Sequence, residues 1–265
     1  MIQVVDEMTT VTVASRKGGT GKTTTTHGIA RALAARRRRV LVIDIDDQAA
    51  ITHTLTGGTA GADVPTLADV LGKRPSMTLA DVVVATLVEG VSLVPASESL
   101  AALELELAAM SLGRESRLRE SIATLAGSYD AVIIDTPPSL GLLSVSALVA
   151  ADIVLPVTAP SGYSARMTGA LLDSIEQVRA YLRPDLRVPG VLLSMVDPRD
   201  PIAADRAAEI RAALAEEPGM LPVEIPRWRT ISRSTETGTG LADSGLPSAR
   251  HAAELSSRRG GADEG

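Results

Sequence analysis

The stretch R-K-G-G-T-G-K-T-T at residues 16–24 decides the fold of this chain. It follows a short β-branched run, residues 10–15, and leads into residues 22–36, whose composition is typical of a helix. The glycines therefore lie at a turn from strand to helix. Glycine permits positive φ and lets backbone N–H groups approach an anion without a Cβ in the way, and the start of a helix adds partial positive charge. The stretch predicts a loop that cradles phosphate groups.

The loop departs from the usual phosphate-loop pattern, G-x-x-x-x-G-K-[ST], because Arg16 stands where the first glycine is expected. Lys17 lies early in the loop instead, and Lys22 follows the last glycine. In this respect the stretch resembles the deviant Walker A motif of the ParA/MinD family of partition and positioning ATPases, and the ParA (Soj) type in particular. Two lysines at fixed positions, between a predicted strand and a predicted helix, make the pattern specific.

Composition limits the class of protein. The 265 residues are 45% apolar and can bury one large core, so we expect a single domain over residues 1–257 and a disordered tail over 258–265. The chain has no cysteine, which excludes disulfides, thiolate metal sites and the iron–sulfur cluster of relatives such as the nitrogenase iron protein. Without an apolar run long enough to span a bilayer, we expect a cytoplasmic protein that does not bind membranes. The family resemblance implies that it associates with the nucleoid.

Strand and helix patterns alternate along the chain, which predicts an α/β fold with a doubly wound, mainly parallel sheet and ligands at the carboxyl ends of its strands. The predicted strands are residues 10–15, 40–45, 91–94, 131–135, 153–157, 188–195 and 223–225. The predicted helices include residues 22–36, 66–71, 79–84, 114–126 and 202–215. Another has Leu100, Leu103, Leu107 and Met110 on its core face and Glu104 on the other, and one after Gly162 has a core stripe of Leu171, Ile175, Val178 and Leu182. The family resemblance implies the same architecture, that of a P-loop NTPase.

Two carboxylates end the second predicted strand. Residues 40–45 are apolar apart from Asp44, as in a strand buried on both faces of a parallel sheet. Alternation places Asp44 and Asp46 on the same side, both towards the phosphate loop. The family pattern here is D-x-D-P-Q, which implies that Asp46 orients the attacking water, while Asp47 stands in place of the proline. The alternative is that these are turn and N-cap carboxylates.

A third carboxylate, Asp135, ends the A-V-I-I-D strand at 131–135, and T-P-P follows at once and breaks the strand. This resembles the family's Walker B strand. The resemblance implies that Thr23, Asp46 and Asp135 hold Mg²⁺, since a small hard cation prefers oxygen ligands.

The resemblance also implies the activity, a slow ATPase. Lys22 binds the β- and γ-phosphates, Lys17 reaches across an ATP-bound homodimer to the partner's nucleotide, and Asp46 completes the catalytic set. Phosphoryl transfer needs positioning and neutralisation of charge more than covalent chemistry. The implied ATP-binding residues are Lys17, Gly18, Gly19, Thr20, Gly21, Lys22, Thr23 and Thr24, with Pro226 and Arg227 beside the adenine. The dimer binds DNA, and a small centromere-binding, ParB-like protein stimulates hydrolysis and release.

DNA contact must come from a local patch, because the formal net charge is −6. Arg227, Arg229 and Arg233 cluster around Trp228, in a region that in ParA-type proteins contributes to nonspecific binding of double-stranded DNA; an ordinary solvated loop is the alternative. For the arginine run 36–39 we favour a solvated helix end over DNA binding. No glycine ends that helix, and an αL residue there would cost up to about 1 kcal/mol.

Two other functions of the superfamily stay open. A MinD-like membrane-positioned ATPase would need an apolar face near the C-terminus, which residues 250–265 lack. A metabolic ATP-dependent ligase or amidase would need a substrate pocket with acid/base groups, and the three histidines, His27, His53 and His251, form no evident constellation. We expect His27, on the helix after the loop, to pack or face solvent.

Overall fold

A computed structural model of the chain describes residues 8–58, 64–197, 199–215 and 218–227. The strands are β1 (Thr9–Ala14), β2 (Val40–Asp44), β3 (Val84–Ala85), β4 (Val91–Val94), β5 (Ala131–Asp135), β6 (Ile153–Thr158), β7 (Val191–Val196) and β8 (Met220–Pro226). The helices are α1 (Lys22–Ala34), α2 (Ala50–Thr56), α3 (Leu67–Leu71), α4 (Ser99–Ala108), α5 (Arg117–Ala123), α6 (Leu142–Ala150), α7 (Ser164–Tyr181) and α8 (Pro201–Ala213), with a 3₁₀ turn at Leu79–Val82. The expected end of the domain at 257, the expected tail 258–265 and residues 250–265 lie outside the described residues.

The strands form one sheet in the order β3-β4-β2-β5-β1-β6-β7-β8. Every pair is parallel except β3 with β4. From β1 the chain builds one half of the sheet through β2, β4 and β5 and then the other half through β6, β7 and β8. The direction of winding therefore reverses at β1, and the phosphate loop follows directly from that strand. The predicted doubly wound, mainly parallel sheet is confirmed, and the phosphate loop follows the carboxyl end of β1 at the point where the winding reverses.

Branched aliphatic side chains fill the core, as the absence of phenylalanine requires. Every residue of β1, β2, β5 and β6 is buried. Alternation divides β2 between the two faces of the sheet: Leu41 and Ile43 pack with α4, α5 and α6, whereas Val40 and Val42 pack with α1 and α2. Helices thus cover both faces, which buries the central strands completely.

Three elements do not follow from the sequence patterns. Helix α2 is rich in β-branched threonine, which disfavours helix, yet it forms because the Asp44 carboxylate accepts hydrogen bonds from Thr52 N–H (3.1 Å) and Oγ1 (2.7 Å). Helix α6 is apolar on nearly all sides and is buried almost completely, so it shows no helical period. Strand β3 is a two-residue antiparallel edge, too short to leave a pattern.

Some predicted boundaries and faces are wrong. The helix expected at 79–84 is a 3₁₀ turn, and Val84 belongs to β3. Leu182, expected on the buried stripe of α7, follows the end of that helix and is 45% exposed. Glu104, expected on the solvent face of α4, is half-buried and accepts a hydrogen bond from the Leu143 N–H (3.2 Å) at the start of α6.

Helix α1 ends in a Schellman turn whose αL residue is an arginine. The Arg38 N–H donates to the Leu33 carbonyl (3.1 Å), and the Arg37 N–H donates to the Ala34 carbonyl (2.8 Å). Arg37 has a φ of 59°. Glycine is the usual residue at this position, because a Cβ disfavours positive φ.

Arg37→Gly should raise the free energy of unfolding by about 0.5 to 1 kcal/mol, because it removes the αL strain. Arg36→Gly is the matched control. Arg36 lies one position earlier without positive φ, so glycine there should lower the stability. Urea denaturation followed by circular dichroism measures both, and a destabilising Arg37→Gly would contradict the expectation.

Candidate nucleotide-binding site

The phosphate loop is shaped by two glycines and supported by β7. Gly19 has a φ of 69° and Gly21 a φ of 84°, so both occupy the region that glycine favours. A Cβ on Gly21 would lie 2.9 Å from Ser194 Oγ. That hydroxyl donates to the Thr20 carbonyl. Ser194 is buried near the end of β7 and was not identified from sequence, since nothing in a strand pattern indicates which distant loop its side chain will contact.

The start of α1 meets the end of β5 at a buried carboxylate. Asp135 is 1% exposed; its Oδ2 accepts a hydrogen bond from Thr23 Oγ1 (2.8 Å) and its Oδ1 accepts one from Thr26 Oγ1 (3.0 Å). Burial raises the pKa of Asp135 to about 6, while the two hydroxyls and the Lys22 charge oppose the rise. Burial lowers the pKa of Lys22, and the charges of Asp135 and Asp46 oppose that shift. The structure thus brings Lys22, Thr23 and Asp135 together.

The two aspartates after β2 have different partners. Asp44 is fully buried and is bound to Thr52 of α2, and its Oδ1 also accepts the Asp46 N–H (3.1 Å). Burial and then the charge of Asp135 raise the pKa of Asp44 to about 8. Asp44 therefore holds α2 in place: its hydrogen bonds go to Thr52 and the Asp46 N–H and not to the phosphate loop, although the charge of Asp135 acts on it.

Asp46 is half-buried, and its Oδ1 accepts the Gln48 N–H at 3.1 Å. Burial raises its pKa, and the charge of Lys22 lowers it, so the carboxylate lies within the field of the phosphate-loop lysine. Asp47, which replaces the family proline, is exposed. Of the two predicted aspartates, only Asp46 has a carboxylate oxygen with no hydrogen bond among the described residues.

Lys17 turns away from the Lys22 cluster. Its Nζ donates to Ser161 Oγ (2.6 Å) and to the Gly162 carbonyl (3.0 Å), in the loop between β6 and α7. Lys17 therefore lies at the same end of the strands as Lys22 but outside the phosphate cradle of its own chain.

Basic residues follow β7 and β8 at this edge. The Arg227 N–H donates to the Val196 carbonyl (2.9 Å), which fixes the exposed Arg227 beside the end of β7. Arg199, 84% exposed, pairs with Asp197 at 3.1 Å. The Arg199 hydrogen bonds lower the pKa of Asp197, and the charge of Arg227 contributes to the shift. Arg199 was missed from sequence, although it lies only four residues after the predicted strand 188–195. Arg229, Arg233 and Trp228 lie outside the described residues.

The donor set fits Mg²⁺ carried by a nucleotide. Thr23, Asp46 and Asp135 offer oxygen ligands, as a small hard cation requires. Among the described residues, no three histidine, aspartate or glutamate side chains converge as a metal cage would need. Mg²⁺ usually takes one or two protein ligands and completes its shell with phosphate oxygens and water, so such a sparse protein contribution is the expected one.

Comparison with known proteins identifies the family. A model described as AAA domain matches residues 8–188. The sporulation initiation inhibitor protein Soj of Bacillus subtilis is 35% identical over 230 residues, which cover 86% of this chain and 88% of Soj. The chromosome partitioning protein ParA of Myxococcus xanthus is 35% identical over 237 residues, 86% of this chain and 78% of that protein. The chain belongs to the ParA/MinD family of deviant Walker A ATPases.

A solved structure of a family relative agrees with this assignment. The Mycobacterium smegmatis protein described as cobyrinic acid a,c-diamide synthase, with bound ADP and magnesium, is 34% identical, with a TM-score of 0.76, and the match covers 87% of this chain and 89% of that one. The likeness confirms the family fold. No helix among the described residues is long and apolar enough to cross a membrane.

His27 of this ParA-type chain is buried one turn beyond Thr23 on α1. It is 3% exposed, and its Nε2 has no hydrogen-bond partner among the described residues. Burial, with a smaller contribution from Arg31, lowers its pKa from 6.5 to about 4. Between these two pH values the unfolded chain binds a proton that the folded chain does not, so stability must fall as the pH is lowered through this range.

His27→Met should therefore flatten the acid side of the stability profile. In the wild type this residue should lower the free energy of unfolding by about 2 kcal/mol between pH 7.5 and pH 5, and the variant should lose that component. Urea titrations at both pH values measure it, with His53→Met, an exposed histidine, as control. Equal pH dependence in wild type and His27→Met would show that the histidine is not held neutral by burial.

Proposed function

We propose that this chain is a ParA-type DNA-segregation ATPase, in which Mg-ATP drives the pairing of two copies and nonspecific binding of double-stranded DNA. The observation that carries the proposal is the difference in position and burial between the two lysines of the loop. Lys22 is buried beside Asp135 and Asp46, whereas Lys17 lies on the Ser161–Gly162 loop outside that cluster. This position of Lys17, outside the cluster around Lys22, supports the proposal that it serves a nucleotide bound by a second copy.

ATP and Mg²⁺ are the cofactors of this function. The backbone of residues 17–24 and the Lys22 ammonium would hold the phosphates, and Thr23, Asp135 and Asp46 would hold the metal, directly or through water. When bound, Mg²⁺ neutralises charge on the β- and γ-phosphates. Pro226 and Arg227, at the end of β8 on the same edge, are our candidates for contact with the adenine.

The chain's own residues then supply positioning and charge. Because Lys22 is poorly solvated, an anionic phosphate bound beside it would form a strong ion pair with its ammonium group. Asp46, with its half-buried carboxylate, would orient a water molecule for attack on the γ-phosphorus and accept its proton, while the ADP β-phosphate leaves. Lys17 of the second copy would add positive charge at the γ-phosphate. Loss of the γ-phosphate would remove the group that holds the two copies together. Slow hydrolysis would therefore act as a timed switch.

DNA binding would use the basic residues at the ends of β7 and β8. Arg227 and Arg199 lie together around Asp197, and Arg229 and Arg233 follow in sequence. In a homodimer these cations are doubled, so binding should weaken steeply with salt. A ParB-like centromere-binding protein is the partner we expect to stimulate hydrolysis, and the nucleoid in the cytoplasm is the location that this activity implies.

A metabolic ATP-dependent synthase is the second candidate, because the 34% identical Mycobacterium smegmatis structure carries such a description. A synthase needs a pocket for an organic acid next to the γ-phosphate. A cavity of about 340 Å³ lies beside α3, and its lining residues, Ala68, Asp69, Gly72, Lys73, Arg74, Ser76 and Glu106, include none from the phosphate loop. This cavity therefore does not offer a synthase its substrate site, and the 35% identity to Soj and to ParA supports the partition function.

Two variants separate the lysine and aspartate roles. Lys17→Ala should abolish ATP-dependent pairing in sedimentation velocity, because the bridging charge is lost. Asp46→Ala should still pair on ATP but hydrolyse it about 10²-fold more slowly. Lys73→Ala, an exposed lysine away from the loop, is the control and should behave as wild type.

The wild type, Asp46→Ala and Lys73→Ala should bind a random-sequence duplex in gel shifts much more tightly with ATP than with ADP, and Lys17→Ala should lose this difference. Binding that ignores the nucleotide, or Lys17→Ala protein that pairs normally on ATP, would overturn the partition mechanism. Release of phosphate only on addition of a small carboxylic acid and ammonia would point to the synthase instead.

A further inference from the structure

Three consecutive arginines, Arg36, Arg37 and Arg38, form the turn after α1 and are all exposed. Helix α1 begins at the phosphate loop and has 13 residues, so this turn lies about 20 Å from the nucleotide site. It precedes β2. The amino end of β2 lies at the opposite end of the parallel strands from the phosphate loop. We call these three residues the arginine turn.

The arginine turn has free guanidinium groups on a fixed backbone. Within the described part of the chain, none of its side chains makes a hydrogen bond or an ion pair. The next residue, Arg39, differs: it donates to Asp130 (2.8 Å) and to the Gly127 carbonyl (2.8 Å). Asp130 is therefore already paired, and the Arg39 contacts anchor the turn from one side while the Schellman hydrogen bonds anchor it from the other.

The rest of this edge adds to the positive charge. Arg187, between α7 and β7, forms a backbone bridge to Ile153 at the start of β6; its side chain is exposed and makes no hydrogen bond or ion pair within the described chain. Asp152 lies between β1 and β6 and is paired with the buried Arg183 at 3.1 Å. Within the described chain, Glu89 and Asp185 are exposed carboxylates near these residues in sequence, and the charge of Arg38 acts on Asp130, against four arginines that make no ion pair. Asp6 and Glu7, which precede β1, lie outside the described residues. This excess belongs to a chain whose formal net charge is −6.

Backbone strain indicates that the arginine at position 37 has a use. Glycine would fit the αL conformation better, and Arg37 adopts it with a φ of 59° while making no side-chain contact in the described chain. The run from Arg36 to Arg39 contains no apolar residue. It therefore offers nothing to insert into a membrane or to form the dry centre of a protein interface, and charge alone would recognise the partner.

We propose that the arginine turn is a second binding surface for the phosphate backbone of double-stranded DNA, and that it acts whichever nucleotide is bound. Guanidinium groups suit phosphate because they present paired N–H donors. Arg187 lies at the β7 position, four strand positions from β2 and about 19 Å along the sheet edge, so one duplex can reach both. The choice of DNA as the polyanion rests on the proposed function; the existence of the surface does not.

The test uses the variant R36Q/R37G/R38Q. Glycine at position 37 suits the αL backbone, so the variant should fold at least as well as a control, R74Q/R119Q/R206Q, that removes three scattered exposed arginines. Fluorescence anisotropy with a labelled random duplex, with ADP and with ATP, gives the affinity from 50 to 200 mM salt. The slope of log affinity against log salt should fall by about 2 to 3 per protomer in the arginine-turn variant, in both nucleotide states, and by less than 1 in the control.

With its smaller slope, the arginine-turn variant should lose about 40-fold less affinity than the wild type when the salt concentration rises fourfold. Equal slopes in the two triple variants, or an effect seen only with ATP, would overturn the proposal. So would loss of binding to phosphatidylglycerol vesicles with DNA binding unchanged. The wild type tests the proposed function separately. If it binds DNA equally with ADP and ATP, the proposed function fails, whereas the proposal for the arginine turn still depends only on the salt slope of its variant.

Discussion

The nucleotide site depends on one buried contact, the Asp135 carboxylate with the hydroxyls of Thr23 and Thr26. A carboxylate at the end of a fully buried strand is unfavourable unless hydrogen bonds and a counter-charge offset its loss of water. Both hydroxyls come from the first turns of α1, and the charge of Lys22 lies beside them. The same contact therefore joins the central strand to the phosphate-loop helix and holds metal-binding oxygens next to a poorly solvated ammonium.

The residues around this contact also show how much of the fold and of the site could be predicted from the sequence. Strands that are buried on both faces read as continuous apolar runs, and those at 40–45 and 131–135 end in the carboxylates that the parallel sheet brings to one edge. The glycines and lysines of the loop complete that pattern. The sheet, the phosphate loop and the proximity of Thr23 to Asp135 were therefore predictable without coordinates.

What could not be predicted depends on partners distant in sequence. Helix α2 forms against its own propensity because Asp44 binds Thr52, and alternation along β2 gives the side of that carboxylate but not its partner. Helix α6 is enclosed by neighbouring elements, which removes the periodicity that would reveal it. Ser194 supports the loop from β7, 174 residues after the Thr20 carbonyl that it contacts. In each case tertiary packing decides, and local sequence carries no trace of it.

Helix α1 also separates two kinds of positive charge. At its first residue, Lys22 is buried and compensated by carboxylates. Beyond its last turn, the arginines at 36–38 are exposed and make no hydrogen bond or ion pair within the described chain, although the charge of Arg38 acts on Asp130. The helix packs on β2 and β5 through buried residues such as Ala30, so both sites belong to one rigid unit. A charge that serves the nucleotide and a charge that serves a polyanion can therefore be altered independently.

Isothermal titration calorimetry of ATP, with Mg²⁺ and with EDTA, on wild type and Asp135→Asn tests the central claim most directly. In the wild type, Mg²⁺ should tighten ATP binding by at least about tenfold, or 1.4 kcal/mol. Asp135→Asn should lose that gain, yet bind ATP in EDTA at least as tightly as the wild type, because a negative charge near the phosphates is gone. If Asp135→Asn, shown to be folded by circular dichroism, kept the full Mg²⁺ dependence, the carboxylate would not be the organising contact of the site.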